Sequence, residues 1–173
     1  MSTAGLDEFL QARPRLFRIA CRITGNPHEA EELVQDVWVR WQRTDRAAVA
    51  DPQAFLATVV SRLSINLVQS ARRRHETAVG PWLPDERVAT GPDPEVYAEN
   101  REAFAVAVQL LLDRLSPAER ATYVLREGFG YPYREIAETL RIGAPNARQL
   151  VKRARDRLAR EALAPGDLAR EAV

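Results

Sequence analysis

Apolar residues recur along this chain in steps of three and four, which places them on one face of successive helices. Leu6, Phe9, Leu10, Leu16, Phe17, Ala20 and Ile23 mark a first helix over 6–24. Pro14 lies inside it and, lacking a backbone donor, predicts a kink. In "TGNP", Gly25 suits a C-terminal cap, Asn26 an N-cap and Pro27 the first position of a new helix. That second helix, 27–43, carries the stripe Ala30, Leu33, Val34, Val37, Trp38 and Trp41. Glu29, Glu31 and Glu32 lie in or near its first turn, where the helix dipole favours anions. After the loop "TDRAAVADP", Asp51 caps a third helix from Pro52 to about Arg74, with Phe55, Leu56, Val59, Leu63, Leu67 and Val68 as its stripe.

The pattern then breaks. Pro81, Pro84, Pro92 and Pro94 with Gly80 and Gly91 make 76–94 a linker. Trp82 and Leu83 are unusual there and predict burial, on the chain's own domains or on a partner. A fourth helix is expected over 95–115. "SPAE" from Ser116 is a capping box with Pro117 at the first helical position, and its helix should end near "EGFG". Two more helices are expected over 132–140 and 144–162, then a frayed tail, 165–173. Nothing alternates at strand period for long, and Ala, Leu, Arg and Glu dominate, so the expected fold is all-α, in two small helical domains: 1–75 and 95–164.

The last two helices read as a helix-turn-helix. Ile136, Ala137 and Leu140 face inward on the first, and the small Ala137 permits a close helix crossing. The turn is Arg141-Ile142-Gly143, with Ile142 as its buried plug. On the second helix Ala147, Leu150, Val151, Ala154 and Leu158 form one stripe. The other face carries Asn146, Arg148, Gln149, Lys152, Arg153 and Arg155. A helix fits the DNA major groove, where Asn, Gln and Arg pair with base edges and Lys and Arg neutralise phosphates.

Charge sharpens this. The net charge of the 173 residues is only +1. Residues 1–75 hold 11 basic and 8 acidic groups, residues 76–115 hold 3 and 8, and residues 116–173 hold 11 and 8. Two cationic ends thus flank an anionic middle. The single cysteine, Cys21, excludes an intramolecular disulfide, and with only two histidines an ordinary structural zinc site is not expected. The apolar runs fall short of the ~20 residues of a membrane span, and no signal peptide is evident; a cytoplasmic protein is expected. There is no phosphate-binding G-x-x-x-x-G-K, no H-E-x-x-H and no paired-cysteine spacing. Adjacent carboxylates such as Glu31–Glu32 point apart on a helix. An enzyme is therefore not expected, and no cofactor or metal is called for.

Taken together, "RPRLFRIACRITGNPHEAEELVQDVWVRW", "PQAFLATVVSRLSINLVQSARRR" and "LLLDRLSPAERATYVLREGFGYPYREIAETLRIGAPNARQLVKRARDRL" resemble region 2 and region 4 of an extracytoplasmic-function (ECF) sigma factor of bacterial RNA polymerase. The resemblance runs from about Leu6 to Leu158. "VGPWLPDE" and "NARQLVKRAR" resemble a subgroup that usually continues into a SnoaL-like C-terminal domain, for which no room is left before Val173.

The resemblance implies a monomeric protein that binds core polymerase, at its clamp helices and flap, and directs initiation at promoters. Gln35, Asp36, Val39, Arg40 and Arg43 would bind the clamp. The loop 44–51 and the start of the third helix would take an unstacked base of the single-stranded −10 element, with Arg62, Asn66, Arg72, Arg73 and Arg74 nearby. Asn146, Arg148, Gln149, Lys152 and Arg153 would read the duplex −35 element. The acidic linker would thread the basic RNA channel, and an anti-sigma factor is a further candidate partner. Several positions depart from the family pattern: Arg141 replaces the turn glycine, Gly143 the serine cap, Ala147 a valine, and Asn66 a frequent aspartate. Two other readings remain open: a stand-alone helix-turn-helix regulator, which would bind duplex DNA by itself, and a polymerase-binding adaptor, which would show no promoter dependence.

Overall fold

A computed structural model describes the backbone of residues 3–77, 109–110 and 112–163, and side chains within those spans. Among the described residues all regular structure is helical. Helix α1 (Thr3–Thr24), α2 (Pro27–Arg43) and α3 (Pro52–Thr77) form the first half, with a 3-10 turn at Arg46–Ala48 between the last two. Helix α4 (Pro117–Tyr123) runs into a π-helical turn, Val124–Gly128. Helices α5 (Tyr133–Leu140) and α6 (Ala144–Leu163) complete the second half.

The helix starts follow the local chemistry. Asn26 Oδ1 accepts from the amides of His28 and Glu29, and Asp51 Oδ1 from that of Ala54. Ser116 and Glu119 exchange reciprocal bonds in a complete capping box. Each cap satisfies amides that a helix start leaves without partners, worth about 0.5–2 kcal/mol. Gly25 ends α1 at a φ of 76°, the left-handed region. Helix α1 runs through Pro14 as one element. The linker 76–94, the Trp82–Leu83 pair and nearly all of the helix expected over 95–115 lie outside the described residues, apart from the last turn of α3.

Which faces are buried departs from the sequence stripes. Leu6 and Leu10 are 38% and 52% exposed, because α1 packs on α2 and α3 through Phe9, Ala12, Leu16, Ile19, Ala20 and Ile23 instead. On α3 the expected Val59, Leu63 and Leu67 are only half-buried, while Leu56, Ala57, Val60, Ser61, Ser64 and Ile65 are buried. The reason is tertiary: α3 packs on α1 and α2 on one side and on α4 and α5 on the other. Its two buried serines return their hydroxyls to the carbonyls of Ala57 and Val60, so their burial leaves no polar atom unpaired. Over Pro52–Arg74, α3 is by length and composition apolar enough to cross a membrane, where the sequence predicted no such run; the core helices of soluble proteins share this property. Trp41 is fully buried and donates Nε1 to the Gly5 carbonyl at 2.8 Å, and Trp38 packs against Phe9 with ring centres 4.9 Å apart and planes tilted by 45°.

Candidate nucleic-acid interface

Helix α5 ends at Arg141, whose φ of 55° makes it the one non-glycine residue in the left-handed region among those described. The expected strain of roughly 1 kcal/mol is offset by the Ile142 amide, which bonds back to the Ala137 carbonyl at 3.0 Å. Ile142 is half-buried in the turn. Beyond it Ala147, Val151 and Ala154 are fully buried and seat α6 on its neighbours. Asn146, Arg148, Gln149, Lys152 and Arg153 are all exposed, brought together along one surface of a single helix. Lys152 and Arg153 have no bonded partner among the described residues. Arg155 is committed to Glu127 at 2.5 Å, and that hydrogen bond, then the charge, pushes its pKa up. Arg157 donates to the Arg114 carbonyl at 3.1 Å, tying the helix to its own half.

The residues assigned to the −10 element divide. Asn66, Arg72, Arg73 and Arg74 are exposed on the second half of α3. Arg72 and Arg73 also border a groove of about 370 Å³ with Gln69, Ser116, Pro117 and Ala118. Arg62, one turn before Asn66, is turned away. Its Nε donates to the Thr139 carbonyl at 2.7 Å and its Nη2 to that of Glu138 at 2.9 Å. These are among the last carbonyls of α5, which have no intrahelical partner and sit at the negative end of its dipole. A guanidinium from one half thus caps a helix of the other.

Thr58 and Thr139 meet hydroxyl to hydroxyl at 3.4 Å beside this cap, and Arg120 and Arg15 also join the halves, which the sequence reading missed. Arg120, 7% exposed, donates Nε to the Leu112 carbonyl at 2.9 Å and Nη1 to the Ile23 carbonyl at 3.1 Å, and pairs with Asp113 at 3.0 Å. Arg15 lies over the Tyr131 ring at 5.1 Å, and burial pushes the Tyr131 phenol pKa up. The position of Arg120 beside the capping box is the only sequence cue, and it looks like an ordinary surface arginine.

Gln35, Asp36, Val39, Arg40 and Arg43 are all exposed on the face of α2 opposite Leu33, Val34, Val37 and Trp41. Val39, 42% exposed, is an apolar residue in an otherwise polar surface. Cys21 is a half-buried thiol whose pKa burial pushes up to about 11. Among the described residues no three His, Cys, Asp or Glu side chains gather into a metal-binding group.

Comparison with known proteins agrees with this layout. Residues 9–74 match the family model Sigma-70 region 2, and residues 105–158 match Sigma-70 region 4. The chain is 42% identical over 167 residues to the ECF RNA polymerase sigma factor SigJ of Mycobacterium tuberculosis, covering 94% of this chain and 53% of that protein. It is 33% identical to the probable ECF RNA polymerase sigma factor SigI of the same organism, covering 84% of this chain and 51% of that one. It therefore spans about half the length of these relatives. The crystal structure of SigJ superposes with a TM-score of 0.63 at 39% identity, over 88% of this chain and 52% of that one. The sigma factor RpoE of Bartonella quintana, crystallised with the anti-sigma factor NepR, shares the fold at a TM-score of 0.69 and 18% identity, over 95% of this chain and all of that one. With both sigma regions matched in order and an all-helical fold that presents a helix-turn-helix, the chain belongs to the ECF sigma factor family.

Proposed function

We propose that this protein binds core RNA polymerase and directs it to a class of promoters. The observation that carries the reading is α6: five exposed polar and cationic side chains on a helix seated by fully buried Ala147, Val151 and Ala154. Residues 1–75 serve polymerase and the −10 element, 76–94 link, 95–164 serve the −35 element, and 165–173 form a tail. The exposed face of α2 docks on the clamp helices, and the second half meets the flap. Asn146, Arg148 and Gln149 address base edges, while Lys152 and Arg153 address phosphates. Asn66 and Arg72–Arg74 hold the DNA near the −10 element. Arg62 joins them only when released from α5, so the arrangement described here is one in which the −10 surface is incomplete. The work is recognition, without a bond made or broken. It belongs in the cytoplasm, beside the polymerase. An anti-sigma factor would act by covering either DNA-reading face.

The test is transcription from a pooled library of promoter fragments with the protein and bacterial core polymerase, sequencing the transcript starts. Starts at a shared −35/−10 pair, only when both components are present, are expected. Association with core without such starts would favour the adaptor reading. Tight binding to duplex DNA without any association with core would leave a stand-alone regulator in its place.

A further inference from the structure

The π-helical turn Val124–Gly128 carries Arg126 and Glu127 toward the start of α5 and the recognition helix. Such wide turns are rare and re-aim the side chains they carry. The Arg126 guanidinium lies 4.6 Å from the centre of the Tyr133 ring and donates to the Tyr131 carbonyl at 3.0 Å. The Arg148 guanidinium lies over the same ring at 5.7 Å. Tyr133 is half-buried at the first position of α5. It thus sits beneath one of the side chains assigned to base reading.

We propose that Tyr133 is a positioning residue for −35 recognition: its ring holds the Arg148 guanidinium in the orientation that meets a base edge. The inference rests on the reading of Arg148 as a base contact. An aromatic face attracts a cation through its quadrupole and takes up none of its N–H groups. A carboxylate would also hold an arginine, but by occupying the donors that a guanine edge needs. Both arrangements occur on α6. Arg155 spends a donor on Glu127 and so anchors the helix. Arg148 rests on a ring and keeps its fork for DNA. Arg126, fixed by the Tyr131 carbonyl, holds the same ring.

The experiment uses the full chain with core polymerase and compares transcription from the matched promoter with that from single-base −35 variants. Tyr133→Phe keeps the ring and should retain the wild-type discrimination. Tyr133→Leu should lose about two- to five-fold of it. Tyr133→pentafluorophenylalanine, which keeps the ring's shape and removes its negative face, should behave like Tyr133→Leu while leaving packing intact. The double variant Tyr133→Leu/Arg148→Ala should discriminate no worse than Arg148→Ala alone. Multiplying effects in the double variant would overturn the proposal. So would equal loss on matched and mismatched templates, or a Tyr133→Phe variant as poor as Tyr133→Leu, which would assign the hydroxyl a phosphate contact instead. If the wild-type chain gives no promoter-dependent starts, the sigma reading fails and this inference with it. A discriminating wild type with an equally discriminating Tyr133→Leu variant removes Tyr133 alone.

Discussion

Replacing Arg120 by methionine tests how the two halves are held together. The stem of methionine fills much of the same space, so the change removes the guanidinium with little loss of packing. Among the described residues three partners are lost: the carbonyls of Leu112 and Ile23, and the carboxylate of Asp113. With Arg120 only 7% exposed, water reaches the two carbonyls poorly. The Leu112 carbonyl keeps the Leu115 amide at 3.1 Å and forfeits one bond, about 0.5–1.5 kcal/mol, whereas the Ile23 carbonyl is left without its buried donor at roughly 1–3 kcal/mol. Asp113 is 25% exposed and retains the Gln109 amide at 3.1 Å, so it adds little. The sum is about 1.5–4.5 kcal/mol. Urea unfolding followed by circular dichroism reads it: at a slope of about 2 kcal/mol/M, the midpoint falls by about 0.8–2.3 M. Asp113→Asn should cost less than half as much. A loss below about 1 kcal/mol for Arg120→Met would refute the reasoning, because water or rearrangement would then be replacing the guanidinium. Equal losses for the two variants would mean that the ion pair, and not the two carbonyls, supplies most of the stabilisation.

Other positions give independent tests. Arg62→Ala should release the end of α5: amides of Tyr133–Ile142 exchange about 5–30-fold faster, for a loss of about 1–2 kcal/mol, while those of α1 and α2 stay unchanged; uniform acceleration would mean global destabilisation instead. Lys152→Ala should weaken promoter binding on all sequences alike and flatten the dependence of log affinity on log salt by about 1, and an unchanged slope would remove Lys152 from the phosphate contacts. Cys21, with its thiol pKa pushed up to about 11, is protonated at neutral pH. A thiol-specific reagent at about pH 8 should therefore react far more slowly with the folded protein than with the same chain in urea, and equal rates would show that the thiol is not held by burial.

The helix boundaries were legible because their causes are local. Asn26, Asp51 and Ser116 each cap amides two or three residues away, so the starts at Pro27, Pro52 and Pro117 needed no knowledge of the fold. The helix-turn-helix was equally legible: its stripe and its polar face alternate within α6 itself, and Arg141, at the place of the family's turn glycine, is left-handed. The stripes of α1 and α3 were less so. Helical spacing selects a face, but Leu6 and Leu10 share the apolar side of α1 with Phe9 and differ from it only in what α2 offers opposite. On α3 the apolar residues spread over two faces, and the residues that became most buried include two serines.

The all-helical class, the order of the helices and the residues on the outer face of α6 and α2 were determined by the sequence alone, through periods and caps that act within one or two turns. Tertiary structure decided the rest. Arg62 and Thr139 are 77 positions apart, and Arg120 and Ile23 are 97 apart. No period links such positions, and an arginine reads the same whether it faces solvent, a phosphate or the carbonyls of a distant helix. Packing chose among those roles: it turned one expected DNA contact inward and buried another arginine as a clasp. It also set a tyrosine, inconspicuous in the sequence, beneath a side chain of the recognition helix. A guanidinium goes where carbonyls or ring faces are left without partners, and those places exist only once the helices have met.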